Sequence, residues 1–207
     1  MYLNNKLDLL SPLWEKLDNW DKYPTQREKI EEEIWNKWGE YKAIMFTDLS
    51  GFSRLTRKYG IIYYLSLIRT SHRLYLPIIK KYKGKVINII GDDLVVHFPK
   101  AENAIDAAIE MQKETYTYNC KKISEDEKLK LAIGIEYGKI LLIEDIEFFG
   151  DPVNIASKLG EDIAESGDIL IGEGAFNSLS EHNYKLEKEE RKISGIELIY
   201  YKVIWNQ

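Results

Sequence analysis

The stretch KVINIIGDDLVVHF at residues 85–98 decides the fold class. Its two apolar halves, 85–90 and 94–98, are separated by Gly91-Asp92-Asp93, a sequence typical of the turns that join antiparallel strands. A doubly wound α/β fold needs a helical crossover between neighbouring strands, so a hairpin at this point argues against that class. The stretch therefore predicts an antiparallel hairpin with acidic residues at its tip.

The segments around the hairpin complete a β-α-β-β-α-β order over residues 41–143. A strand at 41–46 ends in the polar turn TDLSG, and helical stretches follow at 52–59 and 61–82. After the hairpin, 101–118 has one apolar helical face, and strands are expected at 129–136 and 139–143, joined at Tyr137-Gly138. The order predicts an α+β protein, a ferredoxin-like sandwich with helices covering an antiparallel-rich sheet.

The C-terminal part of residues 41–207 begins with a helix-start signal. Asp151-Pro152 places an acidic N-cap before a proline at the first helical position, and the helix is expected to continue over 153–164. Further strands are expected at 168–171, 183–192 and 198–205. No linker interrupts this part, so residues 41–207 are predicted to form one domain.

Residues 1–40 differ from the rest and are predicted to form an N-terminal helical extension. They hold four of the five tryptophans, and Ile30, Ile34 and Trp38 recur every four residues before Gly39, as in an amphipathic helix that ends at a glycine. Such a helix packs on its own domain or contacts a dimer mate or separate regulatory protein, and periodicity does not distinguish these alternatives.

Composition limits the partners and the compartment. The 207 residues include 29 Lys and Arg against 34 Asp and Glu, a net charge of −5, so no positive field draws the chain to nucleic acid or anionic lipid. The single Cys120 forms no internal disulfide. No apolar run approaches the roughly 18 residues of a membrane span, and no signal-peptide pattern opens the chain. We expect a cytoplasmic protein without a membrane segment.

Two aspartates are the strongest candidates for chemistry. Asp48 follows the first strand and Asp92 lies at the hairpin tip. The first and third elements of a β-α-β-β unit are expected to run side by side, so these two ends can meet. Their carboxylates and the Leu49 carbonyl offer hard oxygen ligands suited to Mg²⁺ or Mn²⁺. The structural alternative is that Asp48 is only a helix cap and Asp92 only a turn residue.

Two further sets of residues are suited to a nucleotide. Ser50-Gly51-Phe52-Ser53 opens a helix, whose free backbone N–H groups bind anions such as a triphosphate. Asn154 and Lys158 lie one helical turn apart on one face, where they can hold a ribose and a phosphoryl group. The alternative for the second pair is a solvated helix face.

Five motifs appear in the order found in one family: FTDLSGF at 46–52, IIGDD at 89–93, IGIEYGKI at 133–140, FFGDPVNIASKL at 148–159 and SGIELIYYKV at 194–203. Over residues 41–204 the chain resembles the class III nucleotide cyclases. The resemblance implies a ferredoxin-like catalytic domain acting as a head-to-tail homodimer, with two Mg²⁺ or Mn²⁺ ions per site. The ligands of those ions match Asp48, Asp92 and the Leu49 carbonyl. We expect the adjacent Asp93 to act as an outer-shell acid.

At several site positions this sequence differs from the residues usual in the family. Asn154 matches the family's ribose-binding asparagine, but Lys158 stands where an arginine is usual, so weakened transition-state stabilisation is expected. The positions that face the base hold Asn88, in place of lysine or glutamate, and Glu147. Ser194 replaces a phosphate-binding lysine.

These observations predict a cyclase that converts a nucleoside triphosphate to a 3′,5′-cyclic nucleotide and pyrophosphate, with ATP as the first candidate substrate. Two alternatives stay open. One is a catalytically decayed nucleotide-binding or dimerisation module, and the other is a cyclase acting on GTP or a pyrimidine nucleotide.

Overall fold

The computed structural model describes residues 2–180, 183–193 and 196–205. The helices are α1 (Tyr2–Lys22), α2 (Arg27–Trp38), α3 (Phe52–Tyr59), α4 (Ile61–Lys81), α5 (Ala101–Asn119), α6 (Asp151–Ser157) and α7 (Glu173–Ser178). The strands are β1 (Gly39–Leu49), β2 (Lys85–Ile90), β3 (Asp93–Phe98), β4 (Leu131–Ile143), β5 (Glu147–Phe149), β6 (Ile169–Gly172), β7 (Leu186–Ile193) and β8 (Ile196–Val203).

One sheet contains all of these strands, in the order β2-β3-β1-β4-β6-β8-β7, with β5 paired to β4. The strands β4 and β6 run parallel, and the other described pairs are antiparallel. β1 lies beside β3, with Ala43 opposite Phe98. The predicted hairpin and the ferredoxin-like α+β class are therefore confirmed. The first and third elements of the β-α-β-β unit, β1 and β2, are not neighbours as predicted, because β3 lies between them and pairs with both.

Both faces of the central strands are covered by apolar packing. Along β1, Ala43 and Met45 point into the main core, which includes residues of α4 and α5. Their neighbours Ile44 and Phe46 point to the opposite face. There they pack in a second cluster with side chains from β3, β4, β5 and α6. The second cluster packs α6 against this face of the sheet and includes Phe148 of β5.

The strand β4 differs from its prediction as two strands joined at Tyr137-Gly138. It is continuous, and Gly138 pairs with Lys42 of β1. A Cβ atom on Gly138 would lie 2.7 Å from Cγ of Pro152, so the glycine allows α6 to approach the sheet instead of making a turn.

The helix predicted over 153–164 also differs in form. Its N-cap is Gly150, at φ 153°, and Asp151 is already helical. After Ser157 the chain forms π-helical turns over Lys158–Ile163. A Cβ atom on Gly160, within these turns, would lie 3.0 Å from the Phe46 carbonyl oxygen. The π-helical turns thus lie directly against β1, beside the strand end that carries Asp48.

The N-terminal segment contains the predicted helix, α2, and a second helix, α1, that the sequence analysis did not predict. Pro12 lies inside α1, and a proline inside a helix normally argues against that helix. The two helices pack on β4 through a cluster of apolar side chains: Leu10, Leu13, Ile30, Ile34, Trp38 and Ile143. Within the described residues, the helices are too short or too polar to cross a bilayer.

Candidate active site

Three carboxylates meet at the end of β1 and the tip of the β2–β3 hairpin. One carboxylate oxygen from each of Asp48, Asp92 and Asp93 lies within 4.8 Å of the other two. Pairing of β1 with β3 produces this arrangement, since Asp48 is the penultimate residue of β1 and Asp93 the first residue of β3. The structure therefore brings the two predicted aspartates together and adds Asp93 directly to the cluster.

The electrostatics of this cluster suit a cation. Burial, and then the neighbouring Asp92 and Glu161 carboxylates, raise the pKa of Asp48. Burial and the carboxylates of Asp92 and Asp48 raise the pKa of Asp93 to about 7. The Oδ1 atom of Asp93 is buried and has no hydrogen-bond partner among the described residues. Crowded carboxylates with an unsatisfied buried oxygen fit a hard divalent ion such as Mg²⁺ or Mn²⁺.

One tyrosine that the sequence analysis missed joins two of the predicted metal ligands. The buried Tyr64, on α4, donates its hydroxyl to the Leu49 carbonyl oxygen at 2.8 Å and to Oδ2 of Asp92 at 2.7 Å. Burial, and then the bond to Asp92, raise the pKa of Tyr64, so its hydroxyl stays a donor. Tyr64 therefore orients both oxygens from behind the cluster.

The loop predicted to bind phosphate is only partly available. The backbone N–H of Ser50 donates to the Lys130 carbonyl oxygen at 3.0 Å, so the expectation that it is free is wrong. Gly51 has φ 114°, which favours glycine, and α3 begins at Phe52. The first helical turn leaves the N–H groups of Phe52 and Ser53 without intrahelical acceptors. These amides are the ones available to an anion.

Asn154 and Lys158 lie one turn apart, as the sequence analysis expected, because the Lys158 backbone N–H donates to the Asn154 carbonyl oxygen. Neither side chain has a hydrogen bond or ion pair within the described part of the chain. Both line an open groove of about 570 Å³, whose other lining residues are Asp151, Ile155, Ser157, Asp162, Glu173, Glu197, Leu198 and Ile199. The aspartate cluster is not among the lining residues, so a single chain does not join the two groups in one groove.

The two positions expected to face the base are connected through their neighbours. Asn88 is exposed near the end of β2, and its Oδ1 atom accepts the next backbone N–H at 2.9 Å. Glu147 begins β5, where its Oε1 atom accepts the following backbone N–H at 3.3 Å. Ile87 and Phe148, each adjacent to one of these residues, pack in the same cluster. The predicted departure at Ser194 lies outside the described residues.

A ferredoxin-like sheet with acidic residues at the ends of its adjacent central strands is the architecture of class III cyclase catalytic domains. The chain belongs to the adenylate and guanylate cyclase catalytic domain family, whose model matches residues 39–202.

Two curated relatives are similar over part of their length. A putative adenylate cyclase 3 of Rhizobium meliloti (strain 1021) is 30% identical over 132 residues, which are 64% of this chain and 22% of that protein. A cytidylate cyclase of Staphylococcus aureus is 30% identical over 159 residues, or 65% of this chain and 36% of that protein. The chain thus spans only a minor part of these relatives.

Solved structures share the fold at lower identity. The adenylyl cyclase CyaB from P. aeruginosa superposes with a TM-score of 0.70 at 21% identity, covering 80% of this chain and 94% of that one. The guanylate cyclase domain of RhGC from Catenaria anguillulae, in complex with GTP, has a TM-score of 0.68 at 18% identity, covering 80% and 96%. At these identities the likeness establishes the fold alone.

Proposed function

We propose that this protein is a nucleotide cyclase that converts a nucleoside triphosphate to a 3′,5′-cyclic nucleotide and pyrophosphate, with ATP as the first candidate substrate. The observation that carries the proposal is the cluster of Asp48, Asp92 and Asp93 at adjoining strand ends, backed by the Tyr64 hydroxyl. A structural cap and a turn residue would not require three half-buried carboxylates to lie so close together.

The cluster is assigned to two Mg²⁺ or Mn²⁺ ions. Asp48, Asp92 and the Leu49 carbonyl oxygen would hold them, with Asp93 in the outer shell. Bound divalent ions supply activation of the ribose 3′-hydroxyl and neutralisation of charge on the triphosphate. The chain's own contribution is to fix these oxygens, and Tyr64 does so for two of them.

The N-terminal turn of α3 is assigned to the triphosphate. The N–H groups of Phe52 and Ser53 point along the helix axis, where the positive end of the helix dipole favours an anion. Gly51 permits the sharp entry of the chain into this turn. Because β1 leads directly into this loop, phosphate oxygens bound there would lie beside Asp48.

We assign Asn154 and Lys158 to a site completed by a second copy of the chain. Their groove excludes the aspartate cluster of the same chain, which supports a composite site. The surface near the cluster also carries exposed apolar side chains on α3, α4 and the end of β2, namely Phe52, Ile61, Ile62, Leu65, Ile89 and Ile90. A surface of this kind is typical of a protein–protein interface and supports a homodimer.

In such a dimer Asn154 would orient the ribose and Lys158 would offset charge on the phosphates. The half-buried Lys158 has no ion-pair partner within the described residues, so its ammonium is available to a ligand. A lysine supplies a point charge without the planar fork of arginine, and a modest turnover is expected.

A pyrimidine nucleotide is the second candidate substrate. Asn88 carries no charge, and an amide both donates and accepts, so it excludes no base. The Staphylococcus aureus relative that is 30% identical is named a cytidylate cyclase, which supports this candidate. GTP is a further alternative, because Asn88 excludes no base.

We also propose that residues 1–40 form an extension to a catalytic domain of residues 41–207, in a cytoplasmic protein. Exposed Leu7, Trp14 and Leu17 on α1 leave a surface to which a separate regulatory protein can bind. Packing of α1 and α2 on β4 supports an extension that is joined to the domain rather than tethered by a linker.

The decisive experiment is incubation of the purified protein with ATP, GTP, CTP and UTP together plus Mn²⁺, with products identified by mass spectrometry. A cyclic product is expected from the wild type and from Asp21→Asn, which changes an exposed carboxylate far from the cluster in sequence. None is expected from Asp92→Asn. If a wild-type protein of verified dimeric state yields no cyclic product, the decayed binding module replaces the cyclase.

A further inference from the structure

The turn between β4 and β5 is anchored to the far edge of the sheet by one side chain. Glu144 and Asp145 occupy the two central positions of this turn at φ 49° and 54°, and the Ile146 N–H donates to the Ile143 carbonyl oxygen at 2.9 Å. Two successive residues with positive φ are what a tight hairpin turn requires. Neither residue is glycine, but aspartate tolerates the left-handed conformation, so the turn accounts for the backbone of Asp145 and leaves its carboxylate free to make other contacts.

The carboxylate of Asp145 contacts two adjacent strands. Its Oδ2 atom lies 2.6 Å from the Lys85 ammonium of β2, and its Oδ1 atom lies 3.0 Å from Nε2 of the buried His97 of β3. Lys85 and His97 are direct partners in the β2–β3 pairing. One carboxylate therefore clasps the β4–β5 turn to two neighbouring strands, and we call these three side chains the clasp.

The protonation states of Asp145 and His97 favour the clasp. The Lys85 ammonium, and then His97, hold the pKa of Asp145 below its usual range, so the carboxylate is charged. Burial lowers the pKa of His97, which favours a neutral ring that donates from Nε2. Its Nδ1 atom, which is buried without a partner in the described structure, then carries only a lone pair.

The clasp joins β2, which carries Asn88, to the turn that leads into β5, which carries Glu147. Lys85 lies three residues before Asn88 on β2, and Asp145 lies two residues before Glu147 on β5. Beneath it, Phe148 packs in one cluster with residues of β2 and β3. Backbone pairing with β4 and this apolar contact hold β5 in place, and the ion pair and hydrogen bond of Asp145 tie the turn that leads into β5 to β2 and β3.

We propose that Asp145 is a positioning residue that sets how Asn88 and Glu147 face the base of a bound nucleotide. The proposal rests on the proposed cyclase function. It predicts that loss of the clasp changes discrimination among bases more than it changes binding of the triphosphate, because the aspartate cluster and the start of α3 do not contact the clasp.

The test compares Asp145→Gly with Glu144→Gly. Both put glycine at a left-handed position of the same turn and remove one acidic side chain, but Glu144 is exposed and has no partner in the described structure, so only the first variant opens the clasp. We expect the ratio of kcat/KM for the preferred nucleotide over the next best to fall about 10-fold in Asp145→Gly and to stay unchanged in Glu144→Gly. Amide exchange in residues 147–149 should accelerate in Asp145→Gly alone.

Two measures keep the test decisive. If Asp145→Gly does not fold, Lys85→Met removes one arm of the clasp from a side chain that is 61% exposed, with a smaller change of about threefold expected. If the wild type forms no cyclic product, the cyclase proposal fails. The clasp is then tested by calorimetric affinities for the four 3′-deoxynucleoside triphosphates, which lack the attacking hydroxyl. Equal base selectivity in wild type, Asp145→Gly and Lys85→Met overturns the proposal.

Discussion

Substitution of Tyr64 by phenylalanine tests the support behind the metal ligands. The change removes one hydroxyl that serves two acceptors, the Leu49 carbonyl oxygen at 2.8 Å and Oδ2 of Asp92 at 2.7 Å. One hydroxyl proton is shared between these two acceptors, and loss of a hydrogen bond to a charged group costs about 1.5–3 kcal/mol. Partial compensation by water brings our expected loss in unfolding free energy to about 1–3 kcal/mol.

The same change should weaken metal binding. Removing a hydrogen-bond partner of a metal ligand typically lowers metal affinity about 10- to 100-fold, because the ligand loses its fixed orientation. Calorimetric titration of the purified protein with Mn²⁺ measures this directly, and denaturant unfolding in EDTA measures the stability loss without metal.

Tyr75→Phe is the matched control, because Tyr75 is equally buried on the same helix and its hydroxyl bonds Thr115 at 2.8 Å, away from the cluster. We expect it to lose comparable stability and to bind Mn²⁺ as the wild type does. The reasoning is refuted if Tyr64→Phe retains wild-type Mn²⁺ affinity, or if Tyr75→Phe loses as much.

Three further changes test other parts of the structure. Lys158→Arg should raise turnover about tenfold by restoring a planar multi-donor group, whereas an unchanged rate in an active dimer would mean that the ammonium does not contact the phosphates. The pKa of Asp93 is raised to about 7 in the fold, so without metal the stability from this residue is present at low pH and is lost as pH rises through 7. Since Asp93 is only half-buried, we expect the unfolding free energy of the wild type in EDTA to fall by about 1–2 kcal/mol between pH 5 and 8. Asp93→Asn should not show this fall, and an equal fall in both proteins would contradict the reasoning. Trp38→Ala, in the cluster that joins the extension to β4, should lower the unfolding free energy by about 3–5 kcal/mol, and Trp14→Ala, which is 41% exposed, by clearly less in the same denaturation assay.

Local patterns predicted those elements whose signal is carried by neighbouring residues. The apolar halves around Gly91-Asp92-Asp93 predicted the β2–β3 hairpin, and the periodicity of Ile30, Ile34 and Trp38 predicted α2. Predictions failed where a residue serves a distant contact. Gly138 resembles a turn glycine in sequence, but it lies within β4 because Pro152 packs against it.

The candidate site shows the same division. Asp92 lies at the tip of the hairpin, so its meeting with Asp48 was predictable whichever hairpin strand pairs with β1, although the structure pairs β1 with β3 rather than with β2. Tyr64 lies 15 and 28 residues from the two ligands it joins, in a helix where it resembles any core aromatic residue. A helix surface and a strand end approach each other only through packing, and no local pattern encodes that contact.

The sequence by itself determined the α+β order of elements, the identity of the acidic candidates and the family resemblance, because turn residues, periodicity and motif spacing act over a few positions. Only the tertiary structure decided that Asp93 joins the two predicted aspartates, which backbone amide is already used, and how Asp145 ties the β4–β5 turn to β2 and β3. The reason is physical: hydrogen bonds and ion pairs form within about 3 Å, and only the folded chain brings residues distant in sequence to that separation.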